Sequence, residues 1–386
     1  MASERFELRI SYKRLLIGLL VTVVPICLVG LYVLTTSDRE LQRTIGTHFK
    51  IAAESTTHEI SQFINDRVVH VGTLAVAPTI LDVVSSANRS SQGQSQDAFA
   101  ERIRKIEEGW NTPASAATVN QILSSPAATY LRRAVELDPR FLRITVTDEH
   151  GATVAATHKT LDYFQADEDF WQSISANGRG AINVTNVLYD EVSKSSYIGI
   201  GVPVVEPGTN RFLGALDALV EVSSLFRVVN QAHPPLNLLT SLVREDGTII
   251  SAPETNLSMN LKSQEFLTVQ EALTTMQGRQ TGYVVADIPG LGRRVIGFAD
   301  TGLKDDYKNL GWLVLVSQDA REAFAAIRTV GRLTAFLAVI GLAMVTLLAV
   351  YFSLHRRQPY GVMEEVRDQP QVSVEPERMQ SPGLGL

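Results

Sequence analysis

The chain has 386 residues, of which 45% are hydrophobic, so it has room for two or three domains with apolar cores. Its formal net charge is −6 and no stripe of lysine and arginine offsets that charge, which argues against nucleic acid as a partner. The single cysteine, Cys27, lies in an apolar run, so the remainder of the chain must fold on its own hydrophobic core without disulfides.

Two uninterrupted apolar runs, at residues 15–35 and 333–354, predict transmembrane helices. Each is free of charged residues and has about the 20 residues that a helix needs to cross a bilayer. For the first run the alternative is a cleaved signal peptide. The sequence TTSDRE follows it where a small-residue cleavage site would be expected, which favours an uncleaved anchor.

The charges that flank the two runs predict their orientation. Basic residues precede the first run and follow the second: Arg5, Arg9, Lys13, Arg14, His355, Arg356 and Arg357. By the positive-inside rule both termini are cytoplasmic and residues 36–332 are extracytoplasmic. Arg328 and Arg332 favour the opposite orientation, which is the weaker alternative. Because a large outside region without cysteine suits a bacterial periplasm, the expected location is the bacterial inner membrane.

The two cytoplasmic segments, residues 1–14 and 355–386, are short. The second is rich in Pro, Gly, Gln, Glu and Ser and has no apolar period, so it is predicted to be disordered. No kinase, cyclase or coiled-coil output domain fits into such a segment.

The outside region is predicted to begin with helices. Apolar residues recur at three- and four-residue steps over residues 37–83, with no proline before Pro78, which predicts a long stalk helix. Residues 84–137 are predicted to hold a polar loop, SSANRSSQGQSQD at 85–97, and then further helices.

Two similar β-rich stretches follow. Each begins with a hairpin, at residues 140–158 and again at 238–253, and continues with a helical stretch and three more strands. This internal repeat predicts an α+β fold with two tandem PAS-like modules, each built on a five-stranded antiparallel sheet, at residues 138–230 and 231–332. The sequence QAHPP marks the boundary between them.

These features together resemble the double Cache (dCache) extracytoplasmic sensor domain of bacterial chemoreceptors and sensor kinases. The resemblance covers about residues 37–332 and depends on the hairpins TVTDEHGATVAAT and LVREDGTIISAP and on the stretches DYFQADEDFWQSISANGRGAINVTNVLYDE and NLGWLVLVSQDAREAFA. It implies that a small molecule binds the membrane-distal module, about residues 138–228, and that binding shifts the helices that lead to the membrane.

The resemblance also implies a set of ligand-binding residues. Members of the family that bind amino acids carry aromatic, arginine and aspartate side chains in the distal pocket. Positions that match this pattern here are Tyr163, Phe170, Trp171, Tyr189 and Asp217. The arginine position, however, holds Glu168, and a carboxylate cannot bind the carboxylate of a ligand. The expected ligand is therefore cationic or polyhydroxylic, with Glu168 and Asp217 contacting its donor groups and the aromatic side chains forming the walls.

The acidic triplet Asp167, Glu168 and Asp169 allows a purely structural interpretation as well. Asp167 would then cap a helix that starts at Glu168, and Phe170 and Trp171 would pack in the core. Asp190, after Tyr189, is either a ligand contact or a turn residue. The predicted site comprises Tyr163, Asp167, Glu168, Phe170, Trp171, Tyr189, Asp190 and Asp217.

The sequence offers no motif for catalysis, a metal or a cofactor. It contains no HExxH pair and no GxSxG elbow, and its seven histidines are scattered. The favoured function is a membrane-bound sensor that signals to a separate partner protein, with a homodimer as one possible arrangement. A periplasmic scaffold without a small-molecule ligand is the alternative, and a relic without output stays open.

Overall fold

The computed structural model describes residues 12–190, 195–230, 238–253, 261–275 and 280–325, together with most of 336–351. The chain divides into two units, one formed by residues 1–40 with 326–386 and the other by residues 41–325. In the first unit, the described residues of 336–351 are helical, and helix α1 (Tyr12–Ala75) begins. The second unit holds the rest of α1 and all the strands.

Among the described residues, no single helix is long and apolar enough to cross a membrane. The bent pair Gln42–Ala75 and Pro78–Ser91, with an angle of 59° between its halves, meets the criteria of length and composition together. The predicted span 15–35 lies in α1, where most side chains are outside the described residues, and the span 333–354 is described only in part. The segments 1–11 and 352–386 lie outside the described residues.

The helical region differs from the prediction at its first boundary. Helix α1 ends at Ala75, and a second helix, α2, runs from Pro78 to Ser91. The break follows from Pro78, which has no N–H to donate and so suits the first turn of a new helix. The loop predicted over 85–97 is wrong for its first half. Asn88 is buried there and donates from Nδ2 to the carbonyl of Leu213 at 2.8 Å, which holds this polar stretch on the sheet as a helix.

Three more helices lead to the first module. They are α3 (Gln96–Gly109), α4 (Ala116–Ser124) and α5 (Pro126–Leu137), with a 3-10 turn at Pro113–Ser115. Serine side chains cap two of them: the hydroxyl of Ser95 accepts from the amide of Ala98, and that of Ser125 accepts from Ala128.

The first module contains a six-stranded antiparallel sheet. Its strands are β1 (Phe141–Asp148), β2 (Thr153–Ala156), β3 (Asn183–Val184), β4 (Leu188–Asp190), β5 (Ser195–Val205) and β6 (Phe212–Glu221). The order across the sheet is β2-β1-β6-β5-β3, and β4 also pairs with β5. Five strands were predicted. The sixth arises because the edge segment of residues 183–190 pairs with β5 at two separate places, on either side of residues 185–187. Helix α6 (Asp169–Ser175) packs on the sheet, and α7 (Ser223–Asn230) follows it.

The second module repeats this plan with five strands. They are β7 (Leu239–Arg244), β8 (Ile249–Ser251), β9 (Thr281–Ile288), β10 (Gly292–Asp300) and β11 (Trp312–Asp319), in the order β8-β7-β11-β10-β9. Its helices are α8 (Gln264–Thr275), α9 (Leu303–Asp306) and α10 (Ala320–Ala323). In both modules the last strand lies beside the first, so the two sheets share one topology. The predicted fold of two repeated α+β modules is confirmed.

Helix α1 contributes to the cores of both modules. Its buried side chains, among them Phe49, Ile60 and Ile64, belong to one apolar cluster that includes residues of β1, β5 and β6 and also of β10 and β11. The opposite face of the first sheet is covered in part by α6, where Ile174 packs against Phe212. The first sheet is therefore buried on one face by α1 and α2 and only partly covered on the other.

Candidate ligand-binding site

The uncovered part of the first sheet presents polar side chains. Along β1, Ile144 and Val146 point into the core with α1, so the alternation of a strand places Arg143 and Thr145 on the opposite face. Thr145 pairs with Asp217 on β6, and residues paired across antiparallel strands project from the same face. Arg143 and Asp217 are therefore diagonal neighbours on the floor of the site.

A cavity of about 440 Å³ lies over this floor. It is enclosed by the sheet, by the start of α6 and by the segment of residues 183–188, which we call the wall segment. Its charged lining residues are Arg143, Glu168, Asp169 and Asp217. The remaining lining residues are Phe170, Ser173, Asn183, Thr185, Leu188, Tyr197, Gly199, Leu219 and Asn309.

Asp217 is the carboxylate on the cavity floor. Among the described residues, no hydrogen-bond donor is paired with its side chain, and the nearby guanidinium of Arg143 acts on it only through its charge. Burial raises the pKa of Asp217 to about 6, against the opposing effect of Arg143. Burying a carboxylate without a hydrogen-bond donor lowers the stability of a protein that has no ligand bound. The same carboxylate is available to bind a ligand that brings a donor.

Arg143 was not predicted as a site residue. Its Nε is buried and has no hydrogen-bond partner in the described part of the chain. The sequence did contain a signal, because Arg143, Thr145 and Thr147 alternate with apolar residues on β1 and so form a polar stripe on one face. The polar stripe on β1 alone could equally be an ordinary solvated face. Only the residues of the neighbouring strand β6 show that Arg143 lines a cavity.

Glu168 closes the cavity from the α6 side. It is the residue before the first turn of α6, and its side chain makes no capping hydrogen bond. Burial, followed by the charges of Asp162, Asp167 and Asp169, raises the pKa of Glu168. In the structural interpretation, the part in which Asp167 caps a helix starting at Glu168 is wrong, whereas Phe170 and Trp171 do pack against the apolar cluster of Ile174 and Phe212. The helix starts at Asp169, and the backbone carbonyl of Asp167, not its carboxylate, accepts a hydrogen bond from Gln172.

Backbone contacts place the acidic segment beside the sheet. One oxygen of Glu107, on α3, accepts the amide N–H groups of both Tyr163 and Phe164. Further along, the amide of Gln165 donates to the carbonyl of Gly151 at 2.9 Å. Gly151 has φ +91°, and a Cβ there would lie 2.7 Å from the backbone nitrogen of Ala166, so only glycine admits this approach.

The aromatic residues of the predicted site are dispersed. Tyr163 is buried against Trp110, with ring centroids 5.5 Å apart. Trp171 donates from Nε1 to the hydroxyl of Thr147 at 2.9 Å and meets Phe212 edge-on. Neither of the two lines the cavity, whereas Phe170 does.

Tyr189 and Asp167 also lie away from the lining. Tyr189 is on β4 and is 37% exposed, and the side chain of Asp190 lies outside the described residues. Asp167 is exposed beside Glu168. Of the eight predicted residues, the structure thus brings together Glu168, Phe170 and Asp217 around one cavity.

One lining residue, Asn309, comes from the second module. No sequence pattern links position 309 to a site more than 90 residues earlier, so only the packing of the modules reveals it. No group of three histidine, cysteine or acidic side chains among the described residues is arranged to hold a metal ion.

No family model matches the sequence, and no curated protein matches it. Solved structures do match. The extracellular domain of the putative histidine kinase vpHK1S-Z8 is 12% identical with a TM-score of 0.49, the alignment covering 74% of this chain and 96% of that one. The ligand-binding domain of the Campylobacter jejuni chemoreceptor Tlp3, in complex with 4-methylisoleucine, is 13% identical with a TM-score of 0.47 over 73% and 94% of the two chains.

A third match is the ligand-binding domain of the Pseudomonas aeruginosa PAO1 amino-acid chemoreceptor PctC, in complex with GABA. It is 13% identical with a TM-score of 0.44 over 71% of this chain and 99% of that one. These three proteins are described as ligand-binding domains of chemoreceptors and as the extracellular domain of a putative histidine kinase.

Proposed function

We propose that this protein is a membrane-anchored extracytoplasmic sensor whose first module binds a small organic cation in the cavity above β1 and β6. One observation carries the proposal. Glu168 and Asp217, which are 49 positions apart in sequence, line the same cavity, and no cationic group of the described residues is bound to either side chain. A ligand ammonium group would supply that partner.

The charges of the lining favour a cation over a neutral polyol. Among the described lining residues, the three carboxylates of Glu168, Asp169 and Asp217 face the single guanidinium of Arg143. Asp162 and Asp167 add further negative charge near Glu168. A positively charged ligand offsets the repulsion between these carboxylates. The hydroxyl groups of a polyol donate hydrogen bonds to the carboxylates but do not neutralise their charge.

Arg143 favours a second group on the ligand without requiring it. Its buried Nε has no acceptor, so a ligand that carries a carboxylate or carbonyl oxygen in addition to its ammonium group satisfies both sides of the floor. The proposed ligand is therefore a compact organic ammonium compound with room for one acceptor group.

The membrane role belongs to the same proposal. The apolar runs at 15–35 and 333–354 support two membrane helices, with the modules outside the cell membrane and both termini in the cytoplasm. Ligand binding would bias the position of these helices, and a separate partner protein would respond, with or without a homodimer. A ligand has this effect only through a difference in affinity for the two states.

The test is a thermal-shift series on the full-length chain in detergent. The probes are putrescine, β-alanine, succinate and glycerol. We expect putrescine and β-alanine to raise the melting temperature, since a ligand at 100 times its dissociation constant adds about 2.7 kcal/mol to stability. The variants Glu168→Gln and Asp217→Asn should lose the shift, whereas Asp167→Asn, an exposed neighbour outside the lining, should keep it.

Two outcomes would contradict the proposal. A shift with succinate alone would identify an anion site centred on Arg143. A folded protein that responds to none of the four probes would favour the alternative of a scaffold that binds another protein.

A further inference from the structure

The wall segment, residues 183–188, contacts both the cavity and the second module. Asn183, Thr185 and Leu188 line the cavity. Thr185 also fixes the segment to β5: its amide donates to the carbonyl of Gly199 at 2.9 Å, and its hydroxyl accepts the amide of Gly199 at 2.7 Å. Any displacement of this segment therefore changes the shape of the cavity.

Three side chains of the second module hold the wall segment. Trp312 Nε1 donates to the side-chain oxygen of Asn186 at 2.8 Å, and Arg244 donates to the carbonyl of Val187 at 3.1 Å. Asn309 donates from Nδ2 to the side-chain oxygen of Asn183 and to the carbonyl of Val184, both at 3.2 Å. Trp312 is fully buried, so its indole N–H depends on this one contact.

Two of the three residues that hold the wall segment, Asn309 and Trp312, belong to a segment that also contacts α1. We call residues 301–312 the bridge segment. At its start, the hydroxyl of Ser61 on α1 donates to the carbonyl of Thr301 at 2.8 Å. Further on, the hydroxyl of Tyr307 donates to the side-chain oxygen of Asn65 at 3.0 Å. The bridge segment thus touches the cavity wall at one end and the long helix at the other.

We propose that Asn309 and Trp312 of the second module are positioning residues for the cavity of the first module, and that the bridge segment couples ligand occupancy to α1. The ligand part of this inference rests on the proposed function. The contacts are continuous from the cavity to α1. Because coupling between two sites is reciprocal, a displacement of the bridge segment alters ligand affinity, and ligand binding alters the contacts of the bridge segment with α1.

The alternative is that these contacts only hold the two modules together. In that case their loss would lower stability without changing ligand affinity or the response of α1. The two interpretations therefore predict different ligand affinities and different responses of α1 to the ligand, whereas both allow a loss of stability.

The test combines hydrogen exchange with binding on the full-length chain. The variants are Asn309→Ala, Asn309→Gln and Trp312→Phe, with the exposed neighbour Lys308→Ala as control. Without ligand, we expect faster amide exchange over residues 183–188 in Asn309→Ala and Trp312→Phe, and wild-type exchange in Lys308→Ala. Asn309→Gln retains the donor and should recover part of the effect.

With putrescine as the probe, the same two variants should bind about three- to tenfold more weakly, which is the usual range for one lost hydrogen bond. In the wild type, putrescine should also slow exchange around residues 61–65 of α1, and this protection should be lost in Trp312→Phe. Neither variant removes a charge from the cavity, so the loss cannot be assigned to the carboxylates.

The outcomes separate the two proposals. If no probe binds the wild type, the proposed function is wrong. Independently of binding, unchanged amide exchange over residues 183–188 in Asn309→Ala and Trp312→Phe would contradict the positioning role. If putrescine binds wild type and variants with equal affinity and protects 61–65 in all of them, the coupling is wrong while the sensor function stands.

Discussion

At the scale of single residues, Asp217, which we propose as a ligand contact, lowers the stability of the ligand-free protein. Its carboxylate lies on the floor of the cavity, where burial raises its pKa to about 6, and no described donor offsets that burial. In the unfolded chain the same group has a pKa near 3.8. Between these two values the folded protein holds more protons than the unfolded chain, so stability falls as the pH rises through this window.

We therefore predict that Asp217→Asn makes the ligand-free protein more stable at pH 7. The shift of roughly two units, at about 1.4 kcal/mol per unit, gives an upper value of roughly 3 kcal/mol. The gain should vanish below about pH 4, where the wild-type carboxyl is protonated in both states. Melting temperatures of the full chain from pH 4 to 7.5 measure this, with Asp167→Asn as control. A variant that is less stable than wild type at pH 7 would contradict the assignment.

The sequence predicted part of this site. The resemblance paired Glu168 with Asp217, and both lie at the cavity. Tyr163 and Trp171 matched the same pattern yet pack elsewhere, because large aromatic rings find apolar neighbours such as Trp110 and Phe212 that a linear motif does not show. Arg143 was missed because a lone arginine on a strand acquires meaning only from the strand beside it.

At the scale of elements, the cavity exists because α6 sits directly on β5. Gly201 makes this possible: a Cβ at that position would lie 2.1 Å from Cδ1 of Ile174 on α6. Such a distance requires displacement of the helix or its side chain. Gly201 pairs with Asp217 across the sheet, so the position of α6 and the floor of the cavity are fixed at the same place.

We predict that Gly201→Ala destabilises the protein by about 1–3 kcal/mol, the usual cost of overpacking, and weakens binding of putrescine by moving Glu168. Adding Ile174→Ala should recover part of both losses, since it removes the two atoms that clash. A double-mutant cycle in melting temperature and affinity measures the coupling. Strictly additive effects of the two substitutions would show that α6 is not positioned by this contact.

Element boundaries were the weaker part of the sequence prediction. The strands and hairpins were found from their alternation and turn residues, since those signals are local. The helix of residues 78–91 was predicted as a loop in its second half because its composition is polar. Its helical state depends on Asn88, which both donates to Leu213 and accepts from the amide of Glu149, and such contacts across the fold have no signature in the local sequence.

At the scale of the whole molecule, α1 joins the two modules. Its buried side chains contact both sheets in one apolar cluster, so the modules share a core element instead of resting on a linker. The repeat of sheet topology was predictable from the sequence because the two hairpins carry the same turn chemistry. The packing of both modules on one helix was not predictable, because the apolar period of α1 does not indicate which sheet each helical turn contacts.

Asp138, at the end of α5, forms a polar contact between the first module and α1. Its carboxylate accepts from Arg140 Nε at 2.6 Å and from Arg67, on α1, at 2.6 Å. The hydrogen bond from Arg140, more than any other contact, holds the pKa of Asp138 below its ordinary value, with the charge of Arg67 adding to the effect. Because the folded-state pKa is lowered, this stabilisation is present at neutral pH and is lost as the pH falls below about 4.

We predict that Asp138→Asn lowers the stability of the full chain at pH 7 by about 3 kcal/mol, because Arg67 is left largely buried without its counter-charge. The difference from wild type should shrink as the pH falls toward 3, since protonation removes the same charge from the wild-type protein. Melting curves between pH 3 and 7 measure both effects, and Asp66→Asn, an exposed carboxylate on α1, is the matched control. Equal losses in the two variants, or a difference that grows at low pH, would show that the attachment of the first module to α1 is apolar alone.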